Sequence, residues 1–330
     1  MFLAASVLAG AVHVMSGTLT PPENVRSAVT RALPLLVKGA QGHTEQRTCF
    51  ACHNQALPLL ALAMAGPKGF DLPHKEIKAQ VKFIARFLDG NREKYLKGQG
   101  QGGQADTAGY ALFALELGGW KADATTEAVV EYLLQRDADI GYWKTRSNRP
   151  PSEASDFTTT YLALRALRKW ASEAQKSRAE RRIEAARAWL RKAKPRDTED
   201  RVFRLLGLKE SGTSEAEIQA AVKALIRTQR RDGGWAQTDE LASDAYATGS
   251  ALVALHLAGG LPTSDPVYRR GVVFLLWNQR QDGTWLVRSR SRPFQTYYES
   301  GFPHGKNQFI SMAASGWATA SLALSCTPSK

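Results

Sequence analysis

The sequence has little of what several common protein classes require. It contains three cysteines in 330 residues, so no disulfide network or cluster of cysteine ligands organises the whole chain. Strand signals are weak throughout, and no alternation of strands with helices indicates an α/β fold. The apolar stretch at the start of the chain spans about a dozen residues, which is too short to cross a bilayer as a helix.

Acidic side chains are also scarce relative to basic ones. The chain has 31 Asp and Glu against 44 Lys and Arg, a formal net charge of +13. Such a surface favours anionic partners, either an acidic redox protein or an anionic membrane surface, unless the charge only solvates the outer helices. No nucleic-acid recognition motif accompanies the charge, so nucleic acid is not expected as a partner.

Residues 1–20 resemble the apolar core of a secretory signal, although the positively charged start of such a signal is missing. The alternative is a first helix packed on the domain. We expect residues 1–20 to be a leader and residues 21–330 to form one domain. The leader predicts an exported protein, periplasmic or membrane-associated in a bacterium.

The segment Cys49-Phe-Ala-Cys-His53 has the CxxCH pattern of c-type haem attachment. Two thiols at this spacing add to the two vinyl groups of one porphyrin, and the adjacent histidine reaches the iron as its proximal ligand. We therefore predict covalent haem c, bound by Cys49 and Cys52 and ligated by His53. Alternatives are a redox-active CxxC, a local disulfide or half of a zinc site. Zinc requires two more soft ligands, and the only other cysteine is Cys326.

A helix ending of the form Leu-x-Ala-Leu recurs six times along the chain. Small and apolar residues cover most of the circumference of the helices with these endings, which is typical of buried helices. Each is preceded by an amphipathic helix with a polar back. Twelve helices in this order predict an all-α fold, a single (α/α)6 toroid of six helical hairpins around a central cavity. The final leucines are Leu62, Leu115, Leu167, Leu208, Leu255 and Leu324, and the outer helices are expected at 22–38, 74–88, 125–135, 179–192, 214–229 and 265–279.

A turn that ends in tryptophan connects outer to inner helices in the later repeats. It reads Gln-Arg-Arg-Asp-Gly-Gly-Trp over 229–235 and Gln-Arg-Gln-Asp-Gly-Thr-Trp over 279–285, with a looser copy at 135–143. These turns resemble the QW motifs of squalene-hopene cyclases and related prenyl-processing toroids. The resemblance extends from about Pro22 to Leu324. The chain as a whole is similar to a bacterial subgroup of squalene-cyclase-repeat proteins that carry CxxCH near the N-terminus. The resemblance implies an apolar or isoprenoid-like small molecule as ligand.

The chain departs from the cyclases at their proton donor. The family uses the middle aspartate of a D-x-D-D-T-A motif, and only Asp106, Thr107 and Ala108 match it here. Ala105 occupies the donor position, so cyclase chemistry by the usual route is not expected. Asp106 is the simplest replacement for the missing acid.

Alignment of the inner helices on their final leucines places several aspartates at the helix starts, at what we call the mouth of the toroid. They either cap the helices or form a ring of carboxylates that supplies a general acid. The same alignment places CxxCH at the start of the first inner helix. The aspartates are Asp156, Asp197 and Asp244, with Asp106 nearby.

His304 lies in an insertion, residues 286–304, shortly before the sixth inner helix. In a closed ring that helix neighbours the first, so His304 is predicted to ligate the iron on the distal side or to line the pocket, the alternative being an uninvolved loop histidine. Met64 and Met312 are weaker alternatives. The insertion itself is a candidate lid over the haem. Among the other histidines, His256 is expected in the core and His43 and His74 on the surface.

Aromatic side chains fall on or near the inner helices, where they either line a cavity or pack as ordinary core. They are Tyr110, Tyr161, Tyr246, Phe309 and Trp317.

Three functions remain open from the sequence. The first is an exported c-type haem protein, with redox or ligand chemistry beside an apolar cavity, acting as a haem oxidoreductase or in electron transfer. The second is a terpene-cyclase-like isomerase without haem, using Asp106 on an isoprenoid. The third is a non-enzymatic toroid that binds a lipid or a peptide. Whether the protein is an enzyme is therefore not decided by the sequence.

Overall fold

The computed structural model describes residues 22–293 and 295–328, with side chains from Val25 onward. The predicted leader at 1–20 lies outside these residues. The described chain is mostly helical and has almost no sheet, with 13 α-helices and one short two-stranded ribbon. The α-helices are α1 (Pro22–Gln46), α2 (Leu57–Ala65), α3 (His74–Asp89), α4 (Arg92–Leu96), α5 (Gln104–Leu117), α6 (Ala124–Gln135), α7 (Asp156–Trp170), α8 (Glu173–Lys192), α9 (Thr198–Glu210), α10 (Glu215–Ile226), α11 (Ala245–Leu257), α12 (Pro266–Asn278) and α13 (Gln308–Ser325).

These helices form six hairpins, each made of an outer and an inner helix. The outer helices are α1, α3, α6, α8, α10 and α12, and the inner ones are α2, α5, α7, α9, α11 and α13; α4 is a short link inside the second hairpin. Each inner helix packs against its neighbours in the ring, and α13 packs against α2, which closes the ring. The predicted all-α toroid is confirmed.

The inner helices begin close to where the alignment on their final leucines placed them. A π-helical turn, Cys52–Ala56, starts the first, and Asp197 and Asp244 are the N-caps of α9 and α11. The sixth inner helix starts earlier than expected, at Gln308 rather than near residue 313. The first outer helix continues to Gln46 instead of ending near residue 38, which brings its C-terminus to the mouth.

The tryptophan-ending turns have one repeated geometry. In all three copies the indole is buried, and its Nε1–H donates to a backbone carbonyl of the preceding outer helix. Trp143 donates to Leu133 O at 2.8 Å, and the other two copies make the equivalent bond ten residues upstream. The turn is therefore fastened to the end of the helix before it. The equivalent bonds join Trp235 to Leu225 O at 3.0 Å and Trp285 to Leu275 O at 2.7 Å.

The glutamine that opens each sharp copy of the turn links one repeat to the next. The amide of Gln229 donates to Val267 O in the first turn of α12, at 2.9 Å. The amide of Gln279 donates to Ala28 O in α1, at 2.8 Å, and so joins the last repeat to the first. Gly283, at φ 87°, lies against the backbone of α1, where a Cβ would approach a carbonyl oxygen to 2.7 Å. Glycine is needed there both for its backbone angle and for space.

Across the described residues, no helix combines the length and the apolar character that spanning a membrane requires.

Candidate functional site

The Cys49–His53 segment lies at the mouth of the toroid, where it follows α1 and includes the first two residues of the π-helical turn Cys52–Ala56. Both thiols are free; Cys49 is exposed, whereas Cys52 is only 2% exposed. The thiol of Cys52 donates to Oε1 of Glu153 at 3.0 Å. Burial, together with the nearby Glu153 carboxylate, raises the pKa of Cys52 well above its usual range, so this sulfur is held as a thiol.

His53 has a neutral imidazole in which one of the two ring nitrogens lies near a polar partner. Its Nδ1 lies 3.7 Å from the sulfur of Cys52, and its ring meets Phe309 edge-on at 5.1 Å between centroids. The ring as a whole keeps some exposure, but Nε2 is buried and has no hydrogen-bond partner among the described residues. Desolvation lowers the pKa of His53 to about 3. The imidazole is therefore neutral at physiological pH and can offer Nε2 to a metal.

His43, which the sequence placed on the surface, is instead buried at the mouth, with 1% of its area exposed. The extra length of α1 carries it there. Its Nε2 lies 2.7 Å from the carbonyl oxygen of Cys49, so Nε2 carries the proton and donates. Nδ1 then accepts from the hydroxyl of Tyr298 at 2.5 Å. His43 thus joins the CxxCH loop to the insertion. His74 is exposed, as expected, and His256 is partly buried with Nδ1 bonded to Leu261 O.

The insertion at residues 286–304 extends over the N-terminal ends of several inner helices. Its contacts include the loops before α7 and α11, the start of α13 and the end of α1. This segment, which we call the lid, therefore covers part of the mouth. The contacts are Ser291 with Pro150 O, Arg290 with Gln237, Val287 N with Ser311, and Thr296 O with Arg47.

His304 lies at the C-terminal end of the lid with a left-handed backbone, φ 86°. Its Nε2 is 2.7 Å from the hydroxyl of Thr284, and its ring lies 6.2 Å from that of Phe302. These contacts join His304 to the last tryptophan-ending turn and to the lid itself, and no hydrogen bond or ring contact of His304 reaches the CxxCH segment among the described residues. Of the two methionines considered as ligands, Met312 is fully buried against Gly39 and Phe302 as core, and Met64 is half-buried.

The aspartates at the helix starts divide into two groups. Asp197 and Asp244 are N-caps, and their Oδ1 atoms accept from backbone N–H groups at 2.9 Å. Asp156 is not a cap, because Ser155 takes that position; its Oδ1 accepts from Thr145 N instead. Capping therefore explains two of the four aspartates.

Asp106 lies in the first turn of α5, with 1% of its area exposed. The hydroxyls of Thr159 and Thr145 donate to its carboxyl oxygens. Burial, with a smaller contribution from the nearby Glu153 carboxylate, raises the pKa of Asp106 to about 7 against the lowering effect of the two hydroxyl bonds. This acid is therefore partly protonated near neutral pH, as a general acid requires.

Two buried glutamates belong to the same region and were not identified from the sequence. Glu153 lies in the loop before α7 and pairs with Arg149 as well as with Cys52. Glu199, in the first turn of α9, accepts from Thr158 at 3.0 Å and from Tyr246 at 3.3 Å. Burial raises its pKa well above the usual range. The signal that could have identified Glu199 is the alignment on the final leucines, in which Glu199 precedes Leu208 by the same number of residues as Asp106 precedes Leu115.

The aromatic residues of the inner helices pack on one another inside the ring. Tyr161 lies 5.5 Å from Phe203, and Phe203 lies 6.3 Å from Trp317, between ring centroids. Tyr110 and Tyr246 are also fully buried. These side chains occupy the middle of the toroid as core. Phe309, in contrast, lies at the mouth against His53.

The described residues contain no group of three or more His, Cys, Asp and Glu side chains arranged to hold a metal ion by themselves. Any metal at the mouth would therefore have to bring other ligands with it. His53 Nε2 and Asn54 Nδ2 are both buried there without a hydrogen-bond partner among the described residues, and of the two only the imidazole nitrogen has a lone pair to offer a metal.

Similar folds are found among solved structures, although no protein-family model and no curated protein matches the chain. The type II terpene cyclase MstE from Scytonema, as a variant in complex with its product merosterolic acid A, superposes with a TM-score of 0.61 at 14% identity over 92% of this chain and 98% of that one. A second MstE variant holds its substrate, geranylgeranyl dihydroxybenzoate, with a TM-score of 0.60 at 13% identity and the same coverage. A protein from Actinoplanes gives 0.57 at 16% identity, over 92% of this chain and all of that one. At these identities the likeness shows a terpene-cyclase-like fold.

Proposed function

We propose that this chain is a c-type haem protein built on a terpene-cyclase-like toroid. The observation that carries the proposal is the state of the Cys49–His53 segment. Both thiols are free, and Nε2 of the adjacent histidine is buried without a hydrogen-bond partner among the described residues. A neutral imidazole with a desolvated, unpaired nitrogen is suited to ligating iron.

The residues fit covalent haem. Each attachment adds a thiol S–H across a vinyl group, so a carbon–sulfur bond forms and the proton ends on the other vinyl carbon. The sulfur of Cys52 then has no proton to donate, and its hydrogen bond to Glu153 is lost, while the ion pair of Glu153 with Arg149 is kept. When bound, haem supplies one-electron redox chemistry or ligand binding at iron. The lid is attached to His43 through the hydroxyl of Tyr298.

Export and an anionic partner follow as parts of the same proposal. Covalent haem is attached outside the cytoplasm in bacteria, and residues 1–20 resemble the apolar core of a secretory signal. We therefore propose a periplasmic or membrane-associated protein. The net charge of +13 favours an acidic redox partner or an anionic membrane surface over a basic partner.

The test is a pyridine haemochrome spectrum with an intact mass, on protein produced in a host that matures c-type cytochromes. We expect a c-type α-band and a mass increase of one haem for the wild type. The double variant Cys49→Ala, Cys52→Ala should lose both signals. Cys326→Ala, which removes the cysteine at the end of α13, should keep them. A wild type without haem under these conditions would overturn the proposal.

A second candidate function, acid chemistry on an isoprenoid-like molecule, is favoured by Asp106 and by the fold. The carboxyl of Asp106 has a pKa of about 7, and a neighbour of the same fold binds an isoprenoid substrate. We rank this function second because aromatic side chains occupy the middle of the toroid as packed core. Incubation of the Cys49→Ala, Cys52→Ala variant with a bacterial lipid extract tests it: a product that disappears with Asp106→Asn supports an isomerase. A lipid retained unchanged would indicate a non-enzymatic binding toroid.

A further inference from the structure

An open groove of about 620 Å³ lies beside the CxxCH segment, between the end of α1 and the lid. Its volume is within the usual range for small-molecule sites. We call it the Arg47 groove. It is lined by Gln46, Arg47, Gln295, Thr296, Tyr297, Tyr298 and Glu299.

The wall of the Arg47 groove and the haem-tether loop form one hydrogen-bonded unit. Arg47 precedes Cys49 by two residues. His43 donates to the carbonyl of Cys49 and accepts from the hydroxyl of Tyr298, which lines the groove. A group attached to the exposed thiol of Cys49 therefore lies next to this groove.

Aromatic rings connect the groove to the iron-ligand position. Phe309 lies 5.1 Å from the ring of His53 on one side. On the other side it lies 5.3 Å from the ring of Tyr298 and 6.4 Å from that of Tyr297. The space between the ring of His53 and the groove is thus lined by aromatic rings that meet edge-on or tilted, which gives a bound porphyrin apolar side chains to contact.

Arg47 is the cation of the groove, and its side chain is held in place. Its guanidinium stacks 4.2 Å from the ring centre of Tyr298, and two of its N–H groups donate to Gln46 O at 3.0 Å and to Thr296 O at 2.7 Å. A guanidinium has five N–H donors, so others remain for a carboxylate. Glu299, the acid of the groove, accepts from Tyr297 and from Gln308.

Resting on the proposed function, we propose that the Arg47 groove receives the carboxylate-bearing edge of the bound haem, with Arg47 paired to a propionate. A rigid, half-buried guanidinium is well suited to a carboxylate because the charge-assisted bonds form in a fixed geometry. This assignment leaves Cys49 and Cys52 as the proposed attachment sites and His53 as the proposed iron ligand. Arg47 acts on the haem through its charge and its hydrogen bonds.

The test compares Arg47→Gln, Arg47→Lys and Arg288→Gln by spectroelectrochemical titration of the haem-loaded protein. A cation beside the haem stabilises the reduced form, which carries one positive charge fewer, so Arg47→Gln should lower the midpoint potential. Arg47→Lys, which keeps the charge, should stay close to the wild type. Arg288→Gln removes the same charge from an exposed position of the lid outside the groove and should leave the potential unchanged.

The outcomes separate this inference from the proposed function. A wild type that takes up no haem overturns both. Haem uptake with equal potentials for Arg47→Gln and Arg288→Gln overturns the groove assignment alone. If Arg47→Gln does not fold, Glu299→Gln replaces it, and its potential should rise because a nearby anion is removed; no rise would contradict the assignment.

Discussion

At the scale of single residues, burial controls the charge states at the mouth of the toroid. Desolvation keeps His53 neutral and Cys52 protonated, and it raises the pKa of Asp106 to about 7. Each group is thereby in the form that its proposed role needs: a neutral imidazole to ligate iron, a thiol to add to a vinyl group and an acid that holds its proton. The same cause acts on three side chains from the first two repeats.

Asp106→Asn should change how stability depends on pH. The folded-state pKa of Asp106 lies above its unfolded value. Between about pH 4 and pH 7 the folded protein therefore holds a proton on Asp106 that the unfolded chain has lost. The stability of the wild type falls as the pH rises through this window. The asparagine side chain is neutral throughout. We expect Asp106→Asn to gain stability relative to the wild type from pH 4 to pH 7, by up to about 1.4 kcal/mol per pH unit.

Urea unfolding at pH 4, 5.5 and 7 measures this difference. Asp265→Asn is the control, because Asp265 caps α12 on the outer ring through Val267 N and lies away from the mouth. A constant difference between Asp106→Asn and the wild type across the three pH values would show that the carboxyl is ionised in the folded protein.

At the scale of the elements, the tryptophan-ending turn fastens the outer helix to the inner one in three of the six hairpins. Its indole closes the gap between outer and inner helix, and its N–H satisfies a carbonyl at the end of the outer helix, where intrahelical donors run out. The first, second and fourth repeats lack a tryptophan in this position and use other connections. The second contains the short helix α4 instead, with Tyr95 buried against Tyr132 of α6.

Trp285→Phe should be destabilising because the hydrogen bond to Leu275 O is lost and that carbonyl stays buried. The expected loss is about 1–3 kcal/mol in the free energy of unfolding. Trp277→Phe is the matched control, since Trp277 lies on α12 with 77% of its area exposed, and it should change stability by less than about 0.5 kcal/mol. Urea denaturation of both variants measures the difference, and equal losses would mean that the indole bond contributes nothing.

At the scale of the whole molecule, the ring is closed by contacts between the first and last repeats. α13 packs against α2, and the amide of Gln279 donates to Ala28 O in α1. The lid also contacts parts of the chain that are far apart in sequence: Ser291 donates to Pro150 O, and Thr296 O accepts from Arg47. Closure places the N-terminal CxxCH and the C-terminal lid side by side, so the candidate site is built from both ends of the sequence.

Gln279→Ala should loosen this closure locally. We expect faster hydrogen–deuterium exchange in the N-terminal half of α1, because its link to the last tryptophan-ending turn is removed. Gln229→Ala removes the equivalent bond to Val267 O and should affect α12 instead. Mass spectrometry of peptides from α1 and α12 distinguishes the two, and equal exchange in α1 for both variants would contradict the role given to Gln279.

The sequence by itself determined the repeats, the all-α toroid and the position of CxxCH at the start of the first inner helix. These follow from local patterns: helical periodicity, a recurring leucine ending and the spacing of two cysteines and a histidine. The N-caps Asp197 and Asp244 were among its predictions for the same reason, since a cap is defined by its own helix.

Only the tertiary structure decided which side chains meet at the mouth. It places His43, expected on the surface, against Cys49, and brings in Glu153 and Glu199, while His304 contacts Thr284 instead. It also shows aromatic side chains packed in the middle of the ring. These outcomes depend on the length of α1 and on ring closure between repeats far apart in the chain. No local pattern encodes them, because burial and contact are properties of the closed toroid.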